Sequence, residues 1–527
     1  MQTLRTLLVL ACGAMLMTAC SSGSSKVASH IPKDAMAVVA VHAGSMLQKL
    51  EKDSMSVEQI LQAMKQVEVS KVQDVLGKWH ELQNAGIDWQ QPFFIAALQD
   101  TTFSGSESFA AYLTLSDEAK FAAVVKEKTG KEVEKKDGLQ TISYGHGTIA
   151  WKKEMAIITG GKSLSATSLF ALKKDASMAE AKHFDEALAK PYDVMIFNSG
   201  ASLNNPQAAM ALAKLPKAKD MLEGIEAISW INFEDGKAVM ESETYVGDKL
   251  GKLLDKYAGP EIDLSLVEHF PSQQINTVAA FSFKPQLIPA LMEELGVAPL
   301  LSMMITPHDM SLEEVGRLFK GDFAIVAGDF KMEEKEAGKD GSQPKFNDPS
   351  ANLVIAARIG DKDVFEKLVG KAVEKGFIAR NGDMIVPAMG DADLEGLTIG
   401  TVGDLLVISN NAATWQAYAS GGKSGIKPEI KSLMAGQSAA VYVDINSILQ
   451  RIPESAFDNA GQGAAVMAEA KSIFQSANMH MANYKNGKLS GGGELMLAPG
   501  KNSLSRLANF AIVSANAAKT SDTALNQ

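Results

Sequence analysis

The chain has 527 residues, of which 46% are hydrophobic and 21% charged. This is enough for about two to four domains with cores of their own, and it excludes a wholly disordered protein. The 51 Lys and Arg against 62 Asp and Glu give a net charge of −11, so no broad basic surface exists and we expect no nucleic acid partner.

The N-terminus has the anatomy of a bacterial export signal. Arg5 is the only charged residue before Lys26, and it is followed by an apolar run over residues 7–16. That run is too short to cross a bilayer as a mature helix. It ends in Met17-Thr18-Ala19-Cys20, followed by Ser and Gly. Small residues before a cysteine and a polar tether after it resemble a lipobox, where a peptidase cuts before the cysteine and the cysteine is acylated.

We therefore predict a lipoprotein signal peptide over 1–19, lipidation at Cys20 and a flexible tether over 20–30. The alternatives are an ordinary signal peptide and an uncleaved anchor. Cleavage discards Cys12, the only other cysteine, so no free thiol remains in an oxidising compartment. By resemblance to lipoprotein sorting rules, the absence of Asp after Cys20 favours the outer membrane. We expect a cell-envelope lipoprotein that faces the periplasm and binds the membrane through Cys20.

Six stretches of the body recur in the same order, which indicates an internal duplication. In the clearest pair, apolar residues alternate over 109–115 and over 353–359, and a helical pattern follows each. A period of two that changes to spacings of three and four is typical of a strand followed by a helix. We expect Ser116 to cap the first of these helices and Asp361 to lie in the first turn of the second. Asp-Gly and Asn-Gly pairs at 235–236 and 486–487 predict hairpin turns.

These repeats predict the domain organisation. The first spans 31–262 and the second 270–512, and lost apolar periodicity predicts a loose C-terminal tail over 513–527. We expect an α+β fold of two tandem duplicated halves, each a mainly antiparallel sheet with helices packed on one face. The charged insertion at 331–350 predicts a mobile hairpin tip.

The N-terminal region also resembles a known family. The lipobox, the Ser/Gly tether and Ile31-Pro32-Lys33-Asp34-Ala35, leading into a strand and a leucine-bearing helix, resemble the lipoproteins of Bacteroidota labelled domain of unknown function 4836. Their length and two-part body are similar too. The family has no established activity, so the resemblance implies an envelope location and a body plan, and no catalytic residues.

Three short motifs resemble binding loops but lack a required residue. Asp391 to Gly396 has the acids and glycine of a calcium loop, yet its twelfth position is Val402 instead of Glu. Gly160 to Ser163 and Gly421 to Ser424 lack the earlier glycine of a phosphate loop. We expect a solvated acidic loop and two ordinary turns.

Two further groups could bear chemistry. Met303, Met304, His308 and Met310 offer soft ligands for Cu(I), but the chain has 25 Met, which more commonly fill cores. His146 lies between two glycines, which permit close approach, but a turn or strand-edge histidine is the simpler interpretation. We therefore assign no catalytic, metal or cofactor-binding residue, and we expect no cofactor.

The sequence favours a non-catalytic binding or scaffolding protein whose partner is an envelope protein or an apolar ligand. We expect the site in the cleft between the repeats, because domain interfaces favour pockets. One alternative is an envelope hydrolase that acts on glycans or peptides through acids in this cleft. Another is an assembly component with a contiguous exposed apolar patch. A site lined by Met, Leu and Phe without titratable groups would favour an apolar ligand.

Overall fold

The computed structural model describes residues 24–64, 83–99, 107–145, 147–161, 164–204, 217–336, 345–387, 396–453 and 462–525, with four single positions between 209 and 216. The chain divides into two compact units. The first comprises Met1–Leu212, Gly224–Thr244 and Leu497–Gln527, and the second Ala213–Glu223 and Tyr245–Met496. The predicted repeats differ from these units, since residues 245–262 belong to the second unit and 497–512 to the first.

The described residues of the first unit form an antiparallel sheet. Its strands are β1 Ala37–Val41, β2 Phe93–Gln99, β3 Glu107–Thr114, β4 Glu134–Lys136, β5 Leu139–Tyr144, β6 Gly147–Lys152, β7 Met155–Gly160, β8 Val194–Ser199, β9 Glu226–Glu234 and β10 Lys237–Tyr245. They lie in the order β10-β9-β8-β1-β2-β3-β7-β6-β5-β4. All ladders from β9 to β4 are antiparallel.

The second unit has a sheet of the same kind. Its strands are β11 Ile275–Ser282, β12 Phe319–Glu336, β13 Lys345–Ile359, β14 Ile378–Asn381, β15 Met384–Pro387, β16 Thr398–Val402, β17 Leu405–Ser409, β18 Gln437–Val443, β19 Phe474–Ala482 and β20 Lys488–Leu497. They lie in the order β20-β19-β18-β11-β12-β13-β17-β16-β15-β14. All ladders from β19 to β14 are antiparallel. Position by position, this is the strand order of the first unit.

Helices flank both sheets, and no described helix is both long and apolar enough to cross a membrane. In chain order they are α1 Ser24–Ala28, α2 Ala43–Lys52, α3 Val57–Met64, α4 Glu118–Thr129, α5 Ala166–Phe170, α6 Phe184–Ala189, α7 Ala218–Leu222, α8 Asp248–Tyr257, α9 Ser265–Glu268, α10 Leu287–Leu295, α11 Ala298–Ile305, α12 Leu312–Arg317, α13 Lys362–Glu374, α14 Ala412–Ala419, α15 Pro428–Met434, α16 Ile445–Arg451, α17 Gln462–Ile473 and α18 Ser503–Leu525.

The two strand-to-helix junctions begin with the same cap. Asp117 accepts hydrogen bonds from the second and third amides of α4, and Asp361 does the same for α13. The cap of α4 is thus Asp117 and not Ser116, and Asp361 is itself the cap and not a first-turn residue. A carboxylate there satisfies free amides and faces the positive end of the helix dipole.

The two predicted hairpin turns differ in backbone. Asn486 and Gly487 both have positive φ, 55° and 81°, as a type I′ turn requires. At Asp235-Gly236 only Gly236 has a positive φ, 76°. Asp235 instead bridges to Asn502 in backbone pairing, so a tertiary contact overrides the local preference.

Helices cover both faces of the first sheet, and the prediction of one covered face was wrong. β1 is apolar at every position, so both faces of this central strand need cover. On one face Val41 packs in a cluster with Met46 of α2. On the other, the rings of Phe197 in β8 and Phe184 in α6 lie 5.2 Å apart. Continuous apolar runs, unlike alternating ones, mark strands buried on both sides.

The C-terminal residues form α18 where the sequence predicts a loose tail from 513. Leu504 belongs to the cluster beneath α2. Just before the helix, the side chain of Asn502 donates to the Phe233 carbonyl at 3.0 Å, and its backbone amide donates to Asp53 at 2.7 Å. Tertiary contacts therefore hold a helix whose own amphipathic pattern is weak.

The insertion at 331–350 extends the β12–β13 hairpin. Lys331 lies opposite Ser350, and pairing continues to Glu336 opposite Lys345. These ladder bonds fix the arm in antiparallel register, and residues 337–344 lie outside the described residues.

Candidate functional site

Two rows of directly opposed residues cross six strands of the second sheet, from β19 through β18, β11, β12 and β13 to β17. Opposed residues of antiparallel neighbours share one face of the sheet. The first row is Met479, Val441, Ala279, Ile325, Ile355 and Ile408, and the second is Met481, Ala439, Phe281, Phe323, Ala357 and Leu406. All twelve are apolar, and we call this surface the open face.

The open face is exposed where the matching positions of the first unit are covered. Phe281 in β11 is 37% exposed, whereas Val41 in β1 is 0% exposed. Ile325 in β12 is 37% exposed, whereas Ile95 in β2 is 7% exposed. Val41 and Ile95 are packed in one cluster with residues of α2, α3 and α18. Sheets of the same strand order thus differ in whether this face is covered.

The helices that follow the matching strands differ in the same way. α2 follows β1 and buries Ala43, Gly44, Met46, Leu47 and Leu50. α10 follows β11, and none of its residues is buried; the same is true of α11. The open face closes toward β13 and β17, where Ala357 is 5% exposed and Leu406 packs beside α13.

An aromatic stack lies on and beside the open face. The rings of Phe281 and Phe323 are 5.1 Å apart and nearly parallel, at 19°. Phe283 stacks with both, at 6.2 and 5.9 Å, and Phe319 meets Phe323 at 5.5 Å. Offset aromatic groups of this kind form a wide apolar surface.

Charged groups of the central strands lie on the opposite face. Arg358 of β13 donates to Asp404 at 2.9 Å and is also paired with Asp263. Burial lowers the pKa of Arg358, but hydrogen bonds to both carboxylates outweigh it and raise that pKa overall. Burial likewise raises the pKa of Asp404, and the bonds from Arg358 and Lys320 reverse the shift and lower it.

The chemistry available on the open face is therefore limited. Its side chains carry no charge, donor or acceptor, and the strand backbones pair with each other. Such a surface gains free energy by burying apolar area and loses it by desolvating polar groups. It can hold an apolar group, but it offers no acid, base or nucleophile.

A second concavity lies in the first unit, between helices α1 and α5, the segment after α1 and strands β4–β7. Its volume is about 1350 Å³. Four amino groups and four carboxylates border it: Lys26, Lys136, Lys152, Lys153, Asp88, Glu134, Asp137 and Glu154. Lys26 and Glu154 pair at 3.6 Å. The charges of these eight side chains sum to zero.

A buried polar cluster, to which the sequence analysis gave no role, lies beneath α2. The Asp193 carboxylate is 1% exposed and accepts from the Lys49 amino group at 2.5 Å and from the Phe233 amide at 2.7 Å. The His42 ring lies 4.6 Å from Tyr192. Burial lowers the pKa of His42, and Asp193 partly opposes this. The cluster ties α2 to β8 and β9, so its role is structural. The available signal was an Asp directly before an apolar strand.

Several sequence-predicted positions lie outside the described residues: Cys20 with the signal peptide, His146, Lys162 and Ser163, and 391–395. Within the described ranges, no group of three His, Cys, Asp or Glu residues is arranged to hold a metal. Gly421 to Ser424 form a turn after α14, in which the Ser424 amide donates to the backbone carbonyl of Glu268.

The methionines considered as copper ligands do not share one environment. Met303 and Met304 are 67% and 65% exposed, whereas Met310 is buried. The open face was not predicted from the sequence. The available signal was that residues 278–281 of β11 and 439–443 of β18 are apolar on both faces, together with two methionines at alternate positions in β19.

Comparison with known proteins gives a family and no activity. No curated protein matches the chain. Crystal form III of TP0453 has 8% sequence identity and a TM-score of 0.25, and covers 42% of this chain and 80% of that chain. Crystal form I of TP0453 has 9% identity and a TM-score of 0.26, covering 42% and 79%. The model of the family described as domain of unknown function (DUF4836) matches residues 28–484. The chain therefore belongs to the DUF4836 family.

Proposed function

We propose that this protein is a lipid-anchored, non-catalytic binding protein of the cell envelope, and that it holds an apolar ligand on the open face. The observation that carries the proposal is the contrast between covered Val41 and exposed Phe281 at matching positions. Exposed contiguous apolar surface is rare on soluble proteins and marks interaction sites.

The dimensions of the open face suit a long hydrocarbon chain. Six strands at a spacing of about 4.8 Å extend roughly 24 Å across. One leaflet of a bilayer contains acyl chains about 15 Å deep, so an acyl chain fits along one row. Because the rows have no polar side chain, they favour the alkyl part of a lipid over a peptide or glycan.

The test is equilibrium binding of a fluorescent long-chain fatty acid to the parent and to a Phe281→Gln/Ile325→Gln variant. Burying one such side chain contributes about 1.5–3 kcal/mol, and 1.4 kcal/mol is tenfold in affinity. We therefore expect affinity at least about tenfold weaker in the variant.

The matched control is Phe109→Gln in the first unit, because Phe109 is exposed to a similar extent, 42%, and lies outside the open face. It should bind the probe like the parent. Equal affinity in the parent and the double variant, or no saturable binding by the parent, would refute the site.

The anchor is part of the same proposal and is supported by the N-terminal sequence alone. Cys20→Ala is expected to abolish incorporation of labelled palmitate and to move the protein out of the membrane fraction, because acyl chains provide the anchoring free energy. Cys12→Ala is the control and should keep the label, since that residue leaves with the signal peptide. A labelled Cys20→Ala protein would contradict the assignment. The proposed location is the outer membrane, facing the periplasm.

For the fold, we propose that the two units derive from an internal duplication. The shared order of strands supports it, as do the matching caps Asp117 and Asp361. After duplication, loss of cover on one copy would free an apolar face for a ligand.

A further inference from the structure

A second exposed apolar surface lies at one end of the second unit. Leu300, Met303 and Met304 follow one stripe of α11, and Val373 and Phe377 lie at the end of α13. Their exposed fractions run from 39% for Val373 to 67% for Met303. We call these five residues the apolar tip.

Contacts between the two elements hold the tip together. Lys375 donates to the Pro307 carbonyl at 3.3 Å, and Lys371 pairs with Asp309. Pro307 and Asp309 follow directly after α11. The Phe377 backbone amide donates to the Ala372 carbonyl at 2.9 Å. This bond holds Phe377 against the end of α13.

We propose that the apolar tip inserts into the surface of a zwitterionic phospholipid bilayer. This surface is distinct from the open face, and the proposal does not depend on the fatty-acid site. Residues 295–307 contain no ionisable side chain, so insertion of α11 to the depth of an interfacial helix, about 5–10 Å, buries no charge.

The border of the tip matches a headgroup layer. Three amino groups, Lys367, Lys371 and Lys375, are balanced by three carboxylates, Asp309, Glu314 and Glu374. Two of them pair directly, Lys371 with Asp309 and Lys367 with Glu314 at 2.6 Å. The bond from Lys367 and the backbone bond from Ser311 hold the pKa of Glu314 at about 2, so that carboxylate is ionised at neutral pH. Each zwitterionic headgroup likewise carries one positive and one negative charge. Contact between the tip and the bilayer therefore leaves no net charge unbalanced on either surface.

The composition of the tip suits an acyl-chain environment. Protein interfaces concentrate their binding energy in Trp, Tyr and Arg, and none of these is in the tip. Methionine and leucine are flexible and can adapt to disordered acyl chains.

The experiment is co-sedimentation with phosphatidylcholine vesicles of the unacylated chain that begins at Ser21 and keeps every described residue. The parent should sediment with the vesicles, and added salt should change this little because the border is neutral. Met303→Glu/Met304→Glu should weaken partitioning by about tenfold or more, since each buried side chain contributes at least that factor. These positions are exposed, so circular dichroism should show an unchanged fold.

Met479→Glu/Met481→Glu is the matched control, because it places the same two charges on exposed methionines of the open face. It should weaken fatty-acid binding and leave vesicle binding intact, and the tip variant should do the reverse. The proposal would be overturned if the tip variant sedimented with the vesicles as strongly as the parent, or if the parent did not bind the vesicles. Self-association that the tip variant abolishes would instead make this a contact between copies, and also overturn it.

Discussion

Asn502→Ala is expected to lower the free energy of unfolding by about 2–4 kcal/mol and to loosen α18. Its side chain caps the helix by accepting from the Leu504 amide at 3.0 Å, and it donates to the carbonyl of the partly buried Phe233 near the end of β9. Loss of a cap costs about 1 kcal/mol. A buried carbonyl left without its donor adds about 1–3 kcal/mol.

Urea unfolding gives the size of this effect, and hydrogen exchange locates it. We expect faster exchange in α2, α3 and β9, which contact α18. Asn411→Ala is the matched control, because Asn411 caps α14 through the amides of Ala413 and Thr414 and is exposed. This variant should lower the free energy of unfolding only by the contribution of the cap, about 1 kcal/mol. Equal losses in both variants would mean that the bond to Phe233 contributes nothing.

Lys49→Met is expected to destabilise the first unit by about 3–5 kcal/mol, the cost of leaving a buried charge without its partner. Asp193 is 1% exposed, and Lys49 supplies its counter-charge. The Phe233 amide that also bonds Asp193 is neutral and cannot replace the lost charge. Chemical denaturation at neutral pH measures the loss.

The same helix supplies the control. Lys52→Met breaks a pair with Asp235 whose side chains are 65% and 61% exposed, and such pairs contribute about 0–1 kcal/mol. Lys49→Met/Asp193→Asn should recover much of the loss, because Asn removes the charge and keeps an acceptor for Phe233. A Lys49→Met protein no less stable than Lys52→Met would show that Asp193 needs no counter-ion.

Local structure was largely predictable. Alternation over 109–115 and 353–359 identified β3 and β13, because side chains alternate across a strand. The helices after them were placed correctly to within one or two residues at their caps. These features depend on neighbours along the chain, and the sequence contains all of those neighbours.

The site was not predictable by the same means. Residues 37–41 of β1 and 278–281 of β11 are both apolar on two faces, so their sequences predict the same burial. Val41 is covered by α2, α3 and the distant helix α18, whereas α10, which follows β11, buries none of its residues, so Phe281 stays exposed. Nothing local to 503–525 indicates that this segment packs against the first unit.

The sequence by itself determined the composition of the strands, the positions of turns and caps, and the order of similar segments, since these follow from backbone preference and hydrophobic period. Only the tertiary structure decided which apolar face is buried and to which unit the terminal segments belong. The physical reason is that burial is a property of a surface and of the segment that packs on it. The open face and the apolar tip are two places where described apolar side chains stay exposed.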